Sequence, residues 1–163
     1  MGNSCAKKPV RVKTSSVCTT KAATGTHSFM VMNYSLLDGM GVGKFVTSST
    51  FNVGGQDWCI RFYPDGDGRA PGYVGAFLCP CGDVAETGVR VYYTLSLRMK
   101  DGGAYSCSTP LTATYTFTSR SGDGGVGKIK LLRKSYLPRN GFRIRCDLTV
   151  VQSTNVQMML LPN

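Results

Sequence analysis

Apolar and polar residues alternate with a period of two along four stretches of the chain. Trp58, Ile60 and Phe62 alternate with Cys59, Arg61 and Tyr63, and Val89, Val91, Tyr93, Leu95 and Leu97 with Arg90, Tyr92, Thr94, Ser96 and Arg98. Leu111, Ala113, Tyr115 and Phe117 alternate with four threonines, 112 to 118. Phe142, Ile144, Cys146, Leu148 and Val150 alternate with Arg143, Arg145, Asp147, Thr149 and Val151. Successive side chains of a strand point to opposite faces, so each stretch predicts a half-buried strand. Burial on one face belongs to antiparallel sheets, because strands of parallel sheets are usually apolar on both. Weaker strand signals lie at 27–33, 45–53 and 73–79, and only 128–137 carries a helical pattern, a short one. Turn residues punctuate the rest, in "LLDGMGVGK", "VGGQD", "PDGDGRAPG", "CPCGD" and "KDGGA". The expected fold class is all-β: an antiparallel β-sandwich of about seven to eight strands with one short helix.

Residues 1–24 are rich in Ser, Thr, Lys and Ala without periodicity, and are expected to form a disordered basic leader. One domain is expected over 25–151, with 152–163 as a C-terminal tail. A chain of 163 residues hides roughly 70% of its extended surface on folding, enough to need neither disulfides nor a metal. No apolar run approaches the ~18 residues of a membrane-spanning helix, and no secretory signal opens the sequence.

Charge changes this picture at two places. Residues 1–24 hold five cations and 125–145 hold seven (Lys128, Lys130, Arg133, Lys134, Arg139, Arg143, Arg145), with no acid in either segment. Together they exceed the net charge of +10, so the remainder is slightly acidic. Solvated basic faces account for this; nucleic-acid or anionic-surface binding through 128–145 is the alternative function. The seven cysteines are odd in number. With no secretory context they are expected to be reduced thiols in the cytoplasm or nucleus, Cys59 and Cys146 serving as small hydrophobes.

Candidate chemistry falls short in each case. "SGDGGVGK" has Gly122, Gly127 and Lys128 at the spacing of a phosphate loop, but Ile129 replaces the magnesium-holding Ser or Thr. His27 and Glu86 are the only histidine and glutamate, too little for acid–base or nucleophilic catalysis. Cys79-Pro80-Cys81 is too tightly spaced for a zinc knuckle, and Asp65-Gly66-Asp67-Gly68 lacks the twelfth-position glutamate of a calcium loop. "MGNSCAKK" approaches a myristoylation signal with Ala6 where Ser or Thr is wanted. The expectation is a non-enzyme with no cofactor and no metal.

Ordered motifs carry a resemblance. Tyr34-Ser35-Leu36, Gly41-Val42-Gly43-Lys44, Ser48-Ser49-Thr50-Phe51, Trp58-Cys59-Ile60-Arg61 and Tyr63-Pro64-Asp65-Gly66 are followed by Arg133–Leu137 and Arg145–Val150. Over about residues 25–151 the chain resembles the MATH (TRAF-like) domain, especially the MATH-BTB proteins expanded in plants and the speckle-type POZ-like proteins. The resemblance implies an eight-strand antiparallel sandwich and a shallow groove for an extended Ser/Thr-rich peptide. It implies substrate proteins as partners, brought to a cullin-type ubiquitin ligase where a BTB domain follows the MATH domain; nucleic acid is not an expected partner. Carried over, the peptide-binding residues are Tyr73, Tyr93, Tyr115, Val126, Gly127 and Lys128. By their parity Tyr93 and Tyr115 fit a buried stripe equally well. Val126-Gly127-Lys128 stands where relatives often hold aromatic-Gly-aromatic, so two rings are missing and a cation is added. The twelve residues after Val151 are too few for a BTB domain.

Overall fold

Gly54 and Gly55, both at positive φ (67° and 79°), close a two-residue hairpin between Val53 and Gln56. That turn matches the natural strand twist and needs left-handed backbone at both positions, which glycine supplies without steric cost. It joins β3 (Phe51–Val53) to β4 (Gln56–Tyr63), the centre of one of two sheets. The computed structural model describes residues 1–2, 6–101, 104–107, 109–121 and 124–159.

In one sheet β4 pairs on one side with β2 (Val46–Thr47) and β3, and on the other with β5 (Tyr73–Cys81), which pairs with β9 (Val126–Arg133). In the other sheet β1 (Ser15–Met32) pairs with β10 (Gly141–Met159), and β10 with β6 (Val89–Asp101). The far edge of β6 carries β8 (Leu111–Phe117) along its first part and β7 (Ala104–Cys107) along its end. All of these pairings are antiparallel, as the alternation predicts. The described residues form ten strands, because 45–53 splits into β2 and β3 and β7 adds a further short piece.

The alternating stripes meet between the sheets. Trp58, Ile60 and Phe62 are wholly buried against Val91, Leu95, Leu97 and Ile144, with Cys146, Leu148 and Val150 extending the same layer. Trp58 packs on Phe117 with ring centroids 5.3 Å apart, and its Nε1 donates to the Val53 carbonyl at 3.2 Å. Tyr34, Phe62 and Phe142 form a second aromatic group, and the Tyr34 hydroxyl donates to the Pro64 carbonyl at 3.1 Å. Burial of the Tyr34 phenol pushes its pKa up to about 12.

Three expectations change. The segment expected to be helical, 128–137, is strand β9 followed by a single 3-10 turn at Lys134–Tyr136; with the 3-10 turn at Tyr34–Leu36 it is the only helical structure among the described residues. The cause is a bulge: Leu132 pairs with Val74 and Lys128 with Ala76, so three β9 residues lie against Gly75. A bulge interrupts the period of two, and the interrupted run mimics a helical one. Residues 15–24 and 152–159, expected in a leader and a tail, pair with each other from Ser15–Met159 to Lys21–Ser153. Their side chains are almost all exposed, so the ribbon has no apolar face to announce it. Residues 6–14 carry no regular structure. Among the described residues no helix is long and apolar enough to cross a membrane.

Charges tie the loops at one end of the sandwich. The Asp65 carboxylate accepts the Gly41 amide at 2.5 Å and the Gly39 amide at 3.2 Å, and pairs with Lys134. Lys134 also reaches Asp38 at 2.6 Å, and Arg139 reaches the same aspartate at 3.3 Å. Burial alone would raise the Asp65 carboxyl, but the Lys134 ammonium and the two amides outweigh it and hold it below its usual range. The motif that mimics a calcium loop is therefore a loop tie.

Two outcomes follow. Trp58→Ala removes a fully buried ring and is expected to cost about 3–5 kcal/mol in urea denaturation. A carboxyl with a depressed folded pKa contributes stability above its unfolded value of ~3.9, which is lost as pH falls through the folded value. Lys134→Met removes that pairing, so its urea midpoint should fall less steeply than the wild type between about pH 5 and pH 2.

Candidate peptide-binding edge

β9 is an edge strand: among the described residues it pairs only with β5. Beside it, across the gap between the sheets, lie β6 and β8. Lys128 bridges that gap, its Nζ donating to the Thr109 carbonyl at 2.8 Å. Cross-strand partners share a face, so Val126 and Lys128, opposite Leu78 and Ala76, lie on the core side of β9. Gly127 lies on the other side, opposite Phe77. A Cβ on Gly127 would stand 2.0 Å from the Ala76 carbonyl oxygen and 2.6 Å from the Phe77 Cα, so the close approach of β9 to β5 requires glycine there.

The tyrosines separate. Tyr115 of β8 is opposite the wholly buried Val91 of β6 and so faces inward, yet it is 38% exposed because β8 is itself an edge among the described residues. Its ring stands edge-on to Phe117 at 4.8 Å. Tyr93, between Ala113 and Leu148, is 5% exposed and belongs to the core; burial raises its phenol pKa. Tyr73 is adjacent to the wholly buried Val74, so its ring takes the outer face of its sheet, under Lys130 and Arg133 at 5.5 and 5.3 Å. The structure thus sets Val126, Gly127 and Lys128 along the edge strand β9 and Tyr115 on β8 across the gap between the sheets, buries Tyr93 in the core, and places Tyr73 on the outer face. The free main-chain edge of β9 was missed; the signal for it is the lysine alternation at 128 and 130, typical of a guarded edge strand.

The remaining candidates have other contacts. His27 stacks on Phe51 at 4.2 Å, and burial lowers its pKa. Gly122 and Asp123 lie outside the described residues; beyond them the chain enters β9, where a phosphate loop would enter a helix. In the basic segment Lys134 and Arg139 are tied to acids as above, and Arg145 grips Asp147 through both Nε and Nη2 at 2.8–3.1 Å.

A two-sheet antiparallel sandwich with an unpaired, lysine-bearing edge strand and an exposed aromatic ring on the strand across the gap has the build of a protein-interaction domain. The chain belongs to the MATH domain family, whose sequence profile matches residues 26–151. It is 34% identical over 154 residues to BTB/POZ and MATH domain-containing protein 4 of Arabidopsis thaliana, covering 86% of this chain and 32% of the relative. Proteins 5 and 6 of the same description and organism are 36% and 33% identical, covering 72% and 86% of this chain and 27% and 36% of theirs. The chain therefore spans about a third of the length of these curated relatives.

Gly127→Ala must displace backbone rather than a flexible side-chain end. It is expected to cost about 1–3 kcal/mol in a urea melt, with amide shifts concentrated in β5 and β9 on a two-dimensional NMR spectrum.

Proposed function

We propose that this MATH domain is the substrate-recognition module of an adaptor and binds an extended peptide segment along the free edge of β9. The observation that carries this reading is the unpaired main chain of β9, with β8 and its exposed Tyr115 across the gap between the sheets. An added strand gains backbone hydrogen bonds from such an edge, while neighbouring side chains set specificity. Tyr115 offers a rigid ring with a polar tip. Lys128 lies on that edge strand and favours acidic or phosphorylated segments through charge-assisted hydrogen bonds, with Lys130 adding positive charge on the outer face. In a longer form carrying a BTB domain, the captured protein would be presented to a cullin-type ubiquitin ligase in the cytoplasm or nucleus. Nucleic-acid binding through 128–145 is the weaker reading, because Lys134, Arg139 and Arg145 already have carboxylate partners.

Peptide arrays with and without phosphorylation test the reading. Phosphorylated Ser/Thr-rich peptides should bind more tightly, and Lys128→Ala should shrink that preference. Tyr115→Ala should weaken binding roughly 30-fold, the equivalent of about 2 kcal/mol. Equal binding by all three proteins to all peptides would refute it, and affinity for nucleic acid that falls steeply with salt would favour the alternative.

A further inference from the structure

The outer face of the β1–β10–β6 sheet carries a group of charges that the peptide edge does not use. Arg143 of β10 lies directly opposite Arg98 of β6 on one side and Met30 of β1 on the other. All three point away from the core, since their chain neighbours Leu97, Phe142, Ile144 and Val31 are buried between the sheets. Arg145 and Asp147 share this face, and the Asp147 carboxylate accepts from the Arg145 guanidinium at 2.8–3.1 Å and from the Thr26 hydroxyl at 2.6 Å. The Arg145 hydrogen bonds hold the Asp147 carboxyl below its usual range, and the Thr26 hydroxyl and the charge of Arg98 add to the effect. Three guanidinium groups thus meet one carboxylate, which Arg145 already grips. Among the described residues Arg98 and Arg143 form no salt bridge. Like charges directly opposite each other on a sheet repel, and the Arg98 Nε is moreover buried without a hydrogen-bond partner.

Both arginines line a cleft of about 260 Å³, together with Met30, Met32, Gly141 and Phe142. A Cβ on Gly141 would stand 2.9 Å from the Val31 carbonyl oxygen and 3.1 Å from the Met32 sulfur, so the bare glycine lets β10 close on β1 beneath the Met32 thioether. Met30 and Met32 are both exposed despite their apolar side chains. The cleft therefore joins a cationic end to a flexible apolar wall. Guanidinium forks match the oxygens of a phosphate two at a time, and thioethers adapt to rings placed against them. A phosphate monoester carries about −1.5 to −2 charge at pH 7, which balances the two unpaired guanidinium groups where a single carboxylate does not. Ligand pockets begin at about 300 Å³, so the space suits a group no larger than one ring with its phosphate.

We propose that the Arg98–Arg143 cleft is a binding site for an aryl phosphate, with the phosphate between the two guanidinium groups and the ring against Met30 and Met32. A dianion between two like charges replaces their repulsion with two attractions, and charge-assisted hydrogen bonds fix its orientation. The site lies on the sheet that does not contain β9, so it stands or falls independently of the peptide edge. An aryl phosphate reaches a protein either as a free small molecule or as a phosphotyrosine side chain, and the experiment separates the two.

The test titrates the isotope-labelled full chain with phenyl phosphate, and separately with inorganic phosphate and with phenol, by two-dimensional NMR. Phenyl phosphate should give saturable shifts at the amides of Met30, Met32, Arg98, Gly141 and Arg143, and should bind roughly tenfold more tightly than inorganic phosphate or phenol. Arg98→Gln and Arg143→Gln should each weaken it roughly tenfold, whereas Lys44→Gln, a remote surface cation, should leave it unchanged. Circular dichroism of each variant verifies the sheet content, and if Arg98→Gln does not fold, the outward-facing Arg143→Gln decides alone. A capped phosphotyrosine peptide that moves the same amides and binds more tightly than phenyl phosphate assigns the ligand to a modified protein; equal or weaker binding assigns it to a small molecule. Shifts centred on residues 126–133 of β9, unsaturable shifts spread over the surface cations, or undiminished affinity in Arg143→Gln would each overturn the proposal.

Discussion

The two sheets close on each other through Trp58. Its ring is wholly buried on β4, hydrogen-bonded back to the β3 carbonyl of Val53, and set against Phe117 of the opposite sheet. A buried indole needs a partner for its N–H, and the Gly54–Gly55 hairpin supplies one by folding Val53 over it. Because Phe117 lies at the end of β8, the same contact decides where β8 stands relative to β9. Tyr115, two residues back along β8 with its ring on Phe117, then falls at the mouth between the sheets. The candidate binding edge is in this sense a by-product of core packing.

The strand at that edge is held at both ends. At its start Gly125 and Gly127 let β9 approach Leu78 and Ala76 more closely than any Cβ would permit. At its end the Lys134 amide donates to the Gly72 carbonyl at 2.9 Å while the Lys134 ammonium joins Asp38 and Asp65. An edge strand anchored this way keeps a defined line of main-chain donors and acceptors, which an added strand needs if it is not to pay for ordering both sides. The basic segment thus divides by position. Lys134, Arg139 and Arg145 hold structure together, whereas Lys128, hydrogen-bonded to a neutral carbonyl, keeps an uncompensated charge at the edge.

The cysteines divide in the same way. Cys146 is wholly buried between the sheets, where burial pushes its thiol up to about 12 and it serves as a small apolar side chain. Cys59 has the opposite parity to Trp58 and Ile60 in chemical terms and the same burial in fact, because a second apolar layer with Phe77 and Ile129 covers the outer face of β4 and β5. Cys79 and Cys81 enter that layer from β5, and a Cβ on Gly125 would stand 2.4 Å from the Cys79 sulfur. The thiol cluster therefore lies directly against the turn that leads into β9.

Much of this architecture is legible from residue order alone. Alternation at 58–63, 89–98, 111–118 and 142–151 identifies strands, their inward faces and the antiparallel class, because side-chain direction along a strand is a local property. Motif order also suffices for the family. What residue order leaves open depends on neighbours distant in the chain. The bulge opposite Gly75 makes 128–133 look helical, and only its pairing with β5 makes it a strand. The ribbon of 15–21 with 153–159 buries nothing, so neither half carries a signal until the other lies beside it. Tyr93 and Tyr115 share one parity, yet the first is core and the second open, because β6 is covered on both edges and β8 on one. Facing is decided by the local backbone; exposure is decided by which strands the rest of the chain brings alongside.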